Sequence, residues 1–378
     1  MKYALPIIGL ALILFTHQVN TAALANNQVA QHSAYLIGTY ADAKNQGIEL
    51  LSFDQDNMTL STQLVASEIK KPSFVVANNA RKLIFSVEDT MNGKLKSFAL
   101  SQSESNLTLL DQVDSFGDHP CYLALDAAER LLAVANYGSG NFSIYEVDST
   151  GGLHFKQSVQ HLGSSINKYR QNNAHAHSMV FHPNGKQLLV ADLGTDKIYI
   201  YDLNYSGATL VTPANPAYFS VAAGSGPRHM VLHPNGKLLY LVHELTGEVG
   251  VYFYDNGNIT HANTQSLVTS QFKGDVQAAE IRLSSDGKFI YVSNRGQVNN
   301  LSVFEVGLEG GLRLIQQIAT GGQTPRNFNL SPDGYFLLVA NQDSDDIRLF
   351  KRDPVTGILS KTPTKIQIKK PTYIFPLH

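Results

Sequence analysis

One unit of about fifty residues recurs along this chain, and it leaves few architectures open. The segments FHPNGKQLLVADLGTDKIYIYDL (181–203), LHPNGKLLYLVHELTGEVGVYFY (232–254), LSSDGKFIYVSNRGQVNNLSVFEV (283–306) and LSPDGYFLLVANQDSDDIRLFKR (330–352) share one plan. Each has an apolar strand, a turn ending in Gly185, Gly236, Gly287 or Gly334, a second apolar strand, a polar loop and a third alternating strand. Weaker copies occupy 75–100 and 125–147. Short strands at even spacing, with Gly and Asn/Asp turns and no long amphipathic stretch, indicate an all-β repeat. Four strands per ~40–50 residues is the size of a β-propeller blade.

The chain ends set the number of blades. KKPTYIFPLH (369–378) echoes KKPSFVVANN (70–79), so the chain closes on a first strand with nothing after it. AYLIGTY (34–40), GIELLSFDQD (47–56) and TLSTQLVASE (59–68) supply three partners from the other end. The expectation is a single seven-bladed β-propeller over 34–378, closed by the C-terminal strand joining three N-terminal strands, which removes exposed sheet edges. Its innermost strands should lie near 72–77, 119–126, 176–182, 227–233, 279–284, 325–331 and 371–377. Two β-sandwiches are the alternative, but sandwiches do not require this periodicity.

Residues 1–25 read differently. Met1-Lys2 is followed by LPIIGLALILF (5–15) and by Ala23-x-Ala25 in TAALANN. This is the layout of a secretory signal peptide, and the apolar run falls short of the ~18–20 residues of a membrane span. A periplasmic or secreted protein, free of the membrane after cleavage, is expected. The lone Cys121 cannot form an intrachain disulfide and reads as a small buried hydrophobe. A formal net charge of −2 with 16% charged residues argues against nucleic acid as a partner. A closed ring offers no edge to a neighbour, so a monomer is expected.

Residues equidistant from a hairpin turn lie opposite each other. That arithmetic pairs Arg228 with Glu244, His177 with Asp192, Glu280 with Arg295, and Arg326 with Asn341, all at open hairpin ends. In a propeller the open ends share one face. His175, His177, Arg228, His229, Glu244, Glu280, Arg282, Arg295 and Arg326 should therefore rim or enter one central pocket. The hairpin stems are apolar on both sides because each blade touches two neighbours. His182 and His233 flank the turns of the opposite face and read as structural.

These same segments resemble successive blade motifs of the lactonase family, from about Tyr35 to the C-terminus. Its members include propeller-type 6-phosphogluconolactonases, with 3-carboxy-cis,cis-muconate lactonizing enzymes as relatives. The resemblance implies a carboxylic ester hydrolase acting on a small-molecule lactone without a cofactor. The family's motif histidine falls on His177, beside His175. Its GPRH arginine falls on Arg228, the residue after its second strand on Glu244, and its SNRG and TPR arginines on Arg295 and Arg326. Because 6-phosphogluconolactone arises in the cytosol and this chain reads as exported, the resemblance supports a lactonase better than that substrate.

On this reading Glu244, His177, Arg228 and Arg295 are catalytic, and His175, His229, Glu280, Arg282 and Arg326 bind substrate. Glu244 is the first candidate base. An arginine facing it should lower its pKa and weaken it as a base, which keeps His177 in contention. No metal is expected, since His175-x-His177 lacks further ligands. The alternatives are a cycloisomerase of the muconate type and a non-catalytic ligand-binding propeller.

Overall fold

The computed structural model describes residue 1 and residues 32–377, apart from 42–45, 68, 102, 104, 105 and 208. The expected signal peptide lies outside the described residues. From His32 onward the chain forms seven four-stranded antiparallel sheets. The last of them joins Pro371–Pro376 to His32–Thr39, Ile48–Asp54 and Thr59–Ala66. Tyr35 pairs with Pro376 and Ile37 with Ile374, so the two chain ends share one sheet. This is the all-β, seven-bladed ring expected from the repeat.

Innermost strands run Val75–Ala77, Pro120–Leu125, Ala176–Phe181, Pro227–Leu232, Val276–Leu283, Pro325–Leu330 and Pro371–Pro376. Second strands are almost wholly buried, as in Leu238–His243 and Phe336–Asn341. Successive side chains of a strand face opposite sides of the sheet, so one strand serves two interfaces. Leu239 and Leu241 meet Leu189, Ala191 and Ile200 of the preceding blade, while Tyr240 and Val242 meet Ile281, Ile290 and Val292 of the following one. Each leucine, isoleucine or valine among them contributes about 1.5–3 kcal/mol on full burial. Packing therefore claims both faces of the stems and leaves the strand ends for polar chemistry.

At the turn face, His182 Nδ1 accepts from Asn184 N at 3.2 Å and Nε2 donates to the Gly236 carbonyl at 3.1 Å. Its ring stacks on Tyr254. His182 thus ties one blade's turn to the next, far from the open ends.

The hairpin arithmetic misses by one residue at His177 and Arg326, by two at Arg228 and by three at Glu280. Ala176 faces Asp192, Pro227 faces His243, Gln277 faces Arg295, and Pro325 faces Asn341. Past these pairs the register slips, and one extra residue is accommodated at His177, within Arg228-His229, within Ala279-Glu280, and at Arg326. The same slip falls at Cys121 and Thr372. A bulge puts two residues opposite one and re-aims the extra side chain. Six of the seven inner strands thus carry an irregularity where they approach the open face.

Candidate active site

The open ends surround a cavity of about 380 Å³ lined by Tyr40, Asp89, His119, Cys121, Tyr137, Gly138, Arg170, His177, Glu244, Arg295 and Arg326. Two repeat positions build most of it. The bulge position of the inner strands supplies Cys121, His177 and Arg326. The end of the second strand supplies Tyr40, Asp89, Tyr137 and Glu244, each one residue past its strand, and Arg295, the penultimate residue of its strand.

Glu244 is 3% exposed and lies among three arginines. Its Oε2 is 2.8 Å from Arg228 Nε and 2.9 Å from Arg295 Nη2, while Oε1 receives Arg170 Nη2. Burial alone would raise its pKa, but Arg295, Arg228 and Arg170 outweigh it and hold the carboxyl at about 2. Arg228, 2% exposed, also donates to the Ala279 carbonyl at 2.6 Å. It is clamped beneath the cavity, not open to it. Burial, reinforced by Arg295, pulls it down to about 9 despite Glu244.

Arg326 lies over the Tyr40 ring and donates to its hydroxyl at 2.7 Å. Arg170 comes from the connection between Leu153–Gln160 and Ala176–Phe181, where buried Gln171 anchors the loop through the Leu193 carbonyl at 2.9 Å. Buried His177 is pushed well below the ordinary histidine range by desolvation, with Arg228, His229 and Arg326 adding to it.

Besides Arg228, four residues expected at the mouth stand elsewhere. His175 donates through Nδ1 to the Tyr137 carbonyl at 2.8 Å and stacks on that ring, bracing it from behind. His229, Glu280 and Arg282 lie among the side chains that fill the channel. Glu280 takes His229 Nδ1 at 3.2 Å, Ile281 N at 2.9 Å and the Asn327 amide, with Arg282 at 3.5 Å. Phe74, Tyr122 and Tyr373 stack beside them, and Arg282 donates to the Tyr373 hydroxyl at 3.1 Å. The alternation of the inner strand causes this: one position faces the cavity, while the next positions turn into the plug.

The profile of the family described as "Lactonase, 7-bladed beta-propeller" matches residues 34–376. The chain belongs to this family. Among the lactonase relatives, a Formosa agariphila protein named 6-phosphogluconolactonase is 34% identical, covering 88% of this chain and 96% of that one. A Bacillus subtilis protein of the same name is 30% identical over 90% and 97%. The solved Pseudomonas aeruginosa periplasmic gluconolactonase superposes with a TM-score of 0.88 at 32% identity, over 92% of this chain and 99% of that one.

In this lactonase-family chain, several cavity residues carried no clear signal in the sequence. Tyr40, Asp89 and Tyr137 occupy the repeat position of Glu244 and Arg295, so carrying the register through the weaker blades would have found them. His119 precedes Pro120 as Gly226 precedes Pro227. Cys121, expected as a buried hydrophobe, lines the cavity, its thiol raised to about 12 by burial and then by Asp89. Arg170 stands outside the repeat and had no signal. The guanidinium groups of Arg170, Arg295 and Arg326 face the cavity, an arrangement that can hold an oxyanion or a carboxylate by paired donors.

Proposed function

We propose that the protein is an exported lactone hydrolase that opens a small sugar lactone to its aldonic acid by water attack in the central cavity. The convergence of Arg170, Arg295 and Arg326 on one cavity, in a member of the lactonase family, carries this reading. Ester hydrolysis builds negative charge on the carbonyl oxygen and ends in a carboxylate. Arginines preorganised in a recessed site stabilise both. Glu244, with its pKa near 2, is a feeble base. Its role is to fix the guanidinium planes of Arg295 and Arg170, with Arg228 locking it from below. Neutral His177 offers a hydrogen bond to a substrate hydroxyl or carbonyl without adding charge.

The signal-like N-terminus and the similarity to a protein described as periplasmic gluconolactonase favour an unphosphorylated aldonolactone. The test is a pH-stat panel of gluconolactone, its 6-phosphate and a muconate, with cell fractionation to locate the protein. Gluconolactone should open faster than its uncatalysed rate, and Arg295→Ala and Arg326→Ala should each lower kcat/KM at least tenfold. Absence of acceleration on every lactone would overturn the proposal. Turnover of the muconate alone would point to the cycloisomerase reaction.

A further inference from the structure

We infer that His119 is the general base that activates water, and that Asp89 is its positioning residue. This rests on the lactone-hydrolase reading and names the proton acceptor that reading leaves open. Both residues line the central cavity. His119 Nδ1 lies 3.1 Å from Asp89 Oδ1, and Ser73 Oγ donates to Asp89 Oδ2 at 3.0 Å. A carboxylate only accepts, so Nδ1 carries the hydrogen, and in the neutral ring Nε2 keeps its lone pair. The exposures differ as such a pair requires: the Asp89 side chain is 6% exposed and that of His119 is 49% exposed. The orienting group is buried and fixed, while the ring can meet a water.

The backbone holds the ring there. His119 N donates to the Thr90 carbonyl at 2.8 Å, and Tyr137 N donates to the His119 carbonyl at 3.0 Å. A Cβ on Gly138 would stand 2.9 Å from His119 Cδ2, so a glycine at 138 leaves the imidazole its place. The left-handed φ of +52° at His119 recurs before proline at Lys71, Thr324 and Lys370, so the blade dictates it. What is particular to this blade is an imidazole at that position with a carboxylate from the preceding blade behind it. Asp89 also differs from Glu244. Its described ion-pair partner is His119, and Arg326 and Tyr40 feel its charge without an arginine ion pair like those that surround Glu244, so it can support an imidazolium.

In the step this geometry allows, Nε2 takes a proton from water as the water oxygen bonds to the lactone carbonyl carbon. The tetrahedral oxyanion then collapses, the bond from carbonyl carbon to ring oxygen breaks, and the ring oxygen takes the proton back from Nε2. The hydroxy acid leaves and loses its carboxyl proton to solvent.

The experiment compares full-length wild type with His119→Ala, His119→Gln and Asp89→Asn on gluconolactone, subtracting uncatalysed and imidazole-catalysed hydrolysis. Wild type should be active, and each variant should lose ~10²–10⁴-fold in kcat, with KM within about threefold and an unchanged melting temperature. Added imidazole should restore His119→Ala at least tenfold and leave His119→Gln unrescued. An active wild type with His119→Ala retaining more than a third of kcat overturns the assignment; should that variant not fold, His119→Gln retaining more than a third of kcat overturns it equally. A wild type inactive on every lactone instead overturns the reading beneath it, and the assignment falls with it.

Discussion

At the scale of single residues, the centre of this ring is a store of ionisable groups held away from their ordinary pKa values, and the sign of each sets the response to acid. His229 is held at about 4, by burial first and Arg228 second, and His177 is also depressed. A histidine lowered on folding contributes stability that is complete above its unfolded pKa of ~6.5 and is lost as pH falls toward its folded value. Glu244 and Glu280, both held at about 2, contribute stability that is complete above ~4.5 and lost as pH falls toward 2. The urea midpoint should therefore decline from pH 7 to pH 4 and decline further below; a midpoint flat between pH 7 and 4 would contradict the histidine part. Removing the hub of the arginine cluster is costlier. Glu244→Gln leaves buried Arg228 and Arg295 without their counter-charge, for which a loss of about 3–5 kcal/mol is expected. A denaturant titration measures it.

At the scale of elements, the decisive feature is the irregular start of each inner strand. Gly226 shows what that start demands. Its φ is +65°, its N–H reaches Asp196 Oδ1 at 2.7 Å, and its carbonyl receives Glu244 N at 2.8 Å. Lys71 and Thr324 adopt the same left-handed backbone in other blades, so the conformation alone does not forbid a side chain. At Gly226 a Cβ would stand 2.6 Å from Leu245 Cγ, beside the strand end that carries Glu244. Gly226→Ala should then cost at least about 1–2 kcal/mol from the backbone alone, and more from the displaced leucine. Calorimetry reads the stability and a lactone assay reads the displacement of Glu244. A variant as stable and as active as wild type would show that the strand start tolerates the shift.

At the scale of the whole molecule, ring closure and the plugged channel are one device. Pro371–Pro376 completes the sheet that begins at His32 and also delivers Thr372 and Tyr373 to the centre, where Thr372 Oγ1 bonds the Ser73 carbonyl at 2.9 Å. Ending the chain at Lys370 would expose the edge of His32–Thr39 and unstack Tyr373 from Phe74. An open edge with an apolar face invites pairing with other chains. The truncated protein should aggregate or melt far below the intact one, measured by light scattering and calorimetry; an intact, monomeric truncation would mean the ring does not depend on its clasp.

Sequence alone determined the ring: a period near fifty, turn glycines and the echo between 70–79 and 369–378 are local chemistry repeated, and repetition is legible without coordinates. It also put Glu244, Arg295, Arg326 and His177 at one mouth, because hairpin ends follow from hairpin turns. Tertiary structure decided the rest. The one-residue slip in the inner strands, invisible to counting, brings Cys121, His177 and Arg326 to the cavity, while at the equivalent bulges Arg228 lies beneath it and His229 and Glu280 turn into the plug. Partners across blades, such as Asp89 for His119 and Arg170 for Glu244, are separated by 30 and 74 positions. Only the closed ring brings them within bonding distance, because the contact belongs to the circle of blades and not to any one repeat.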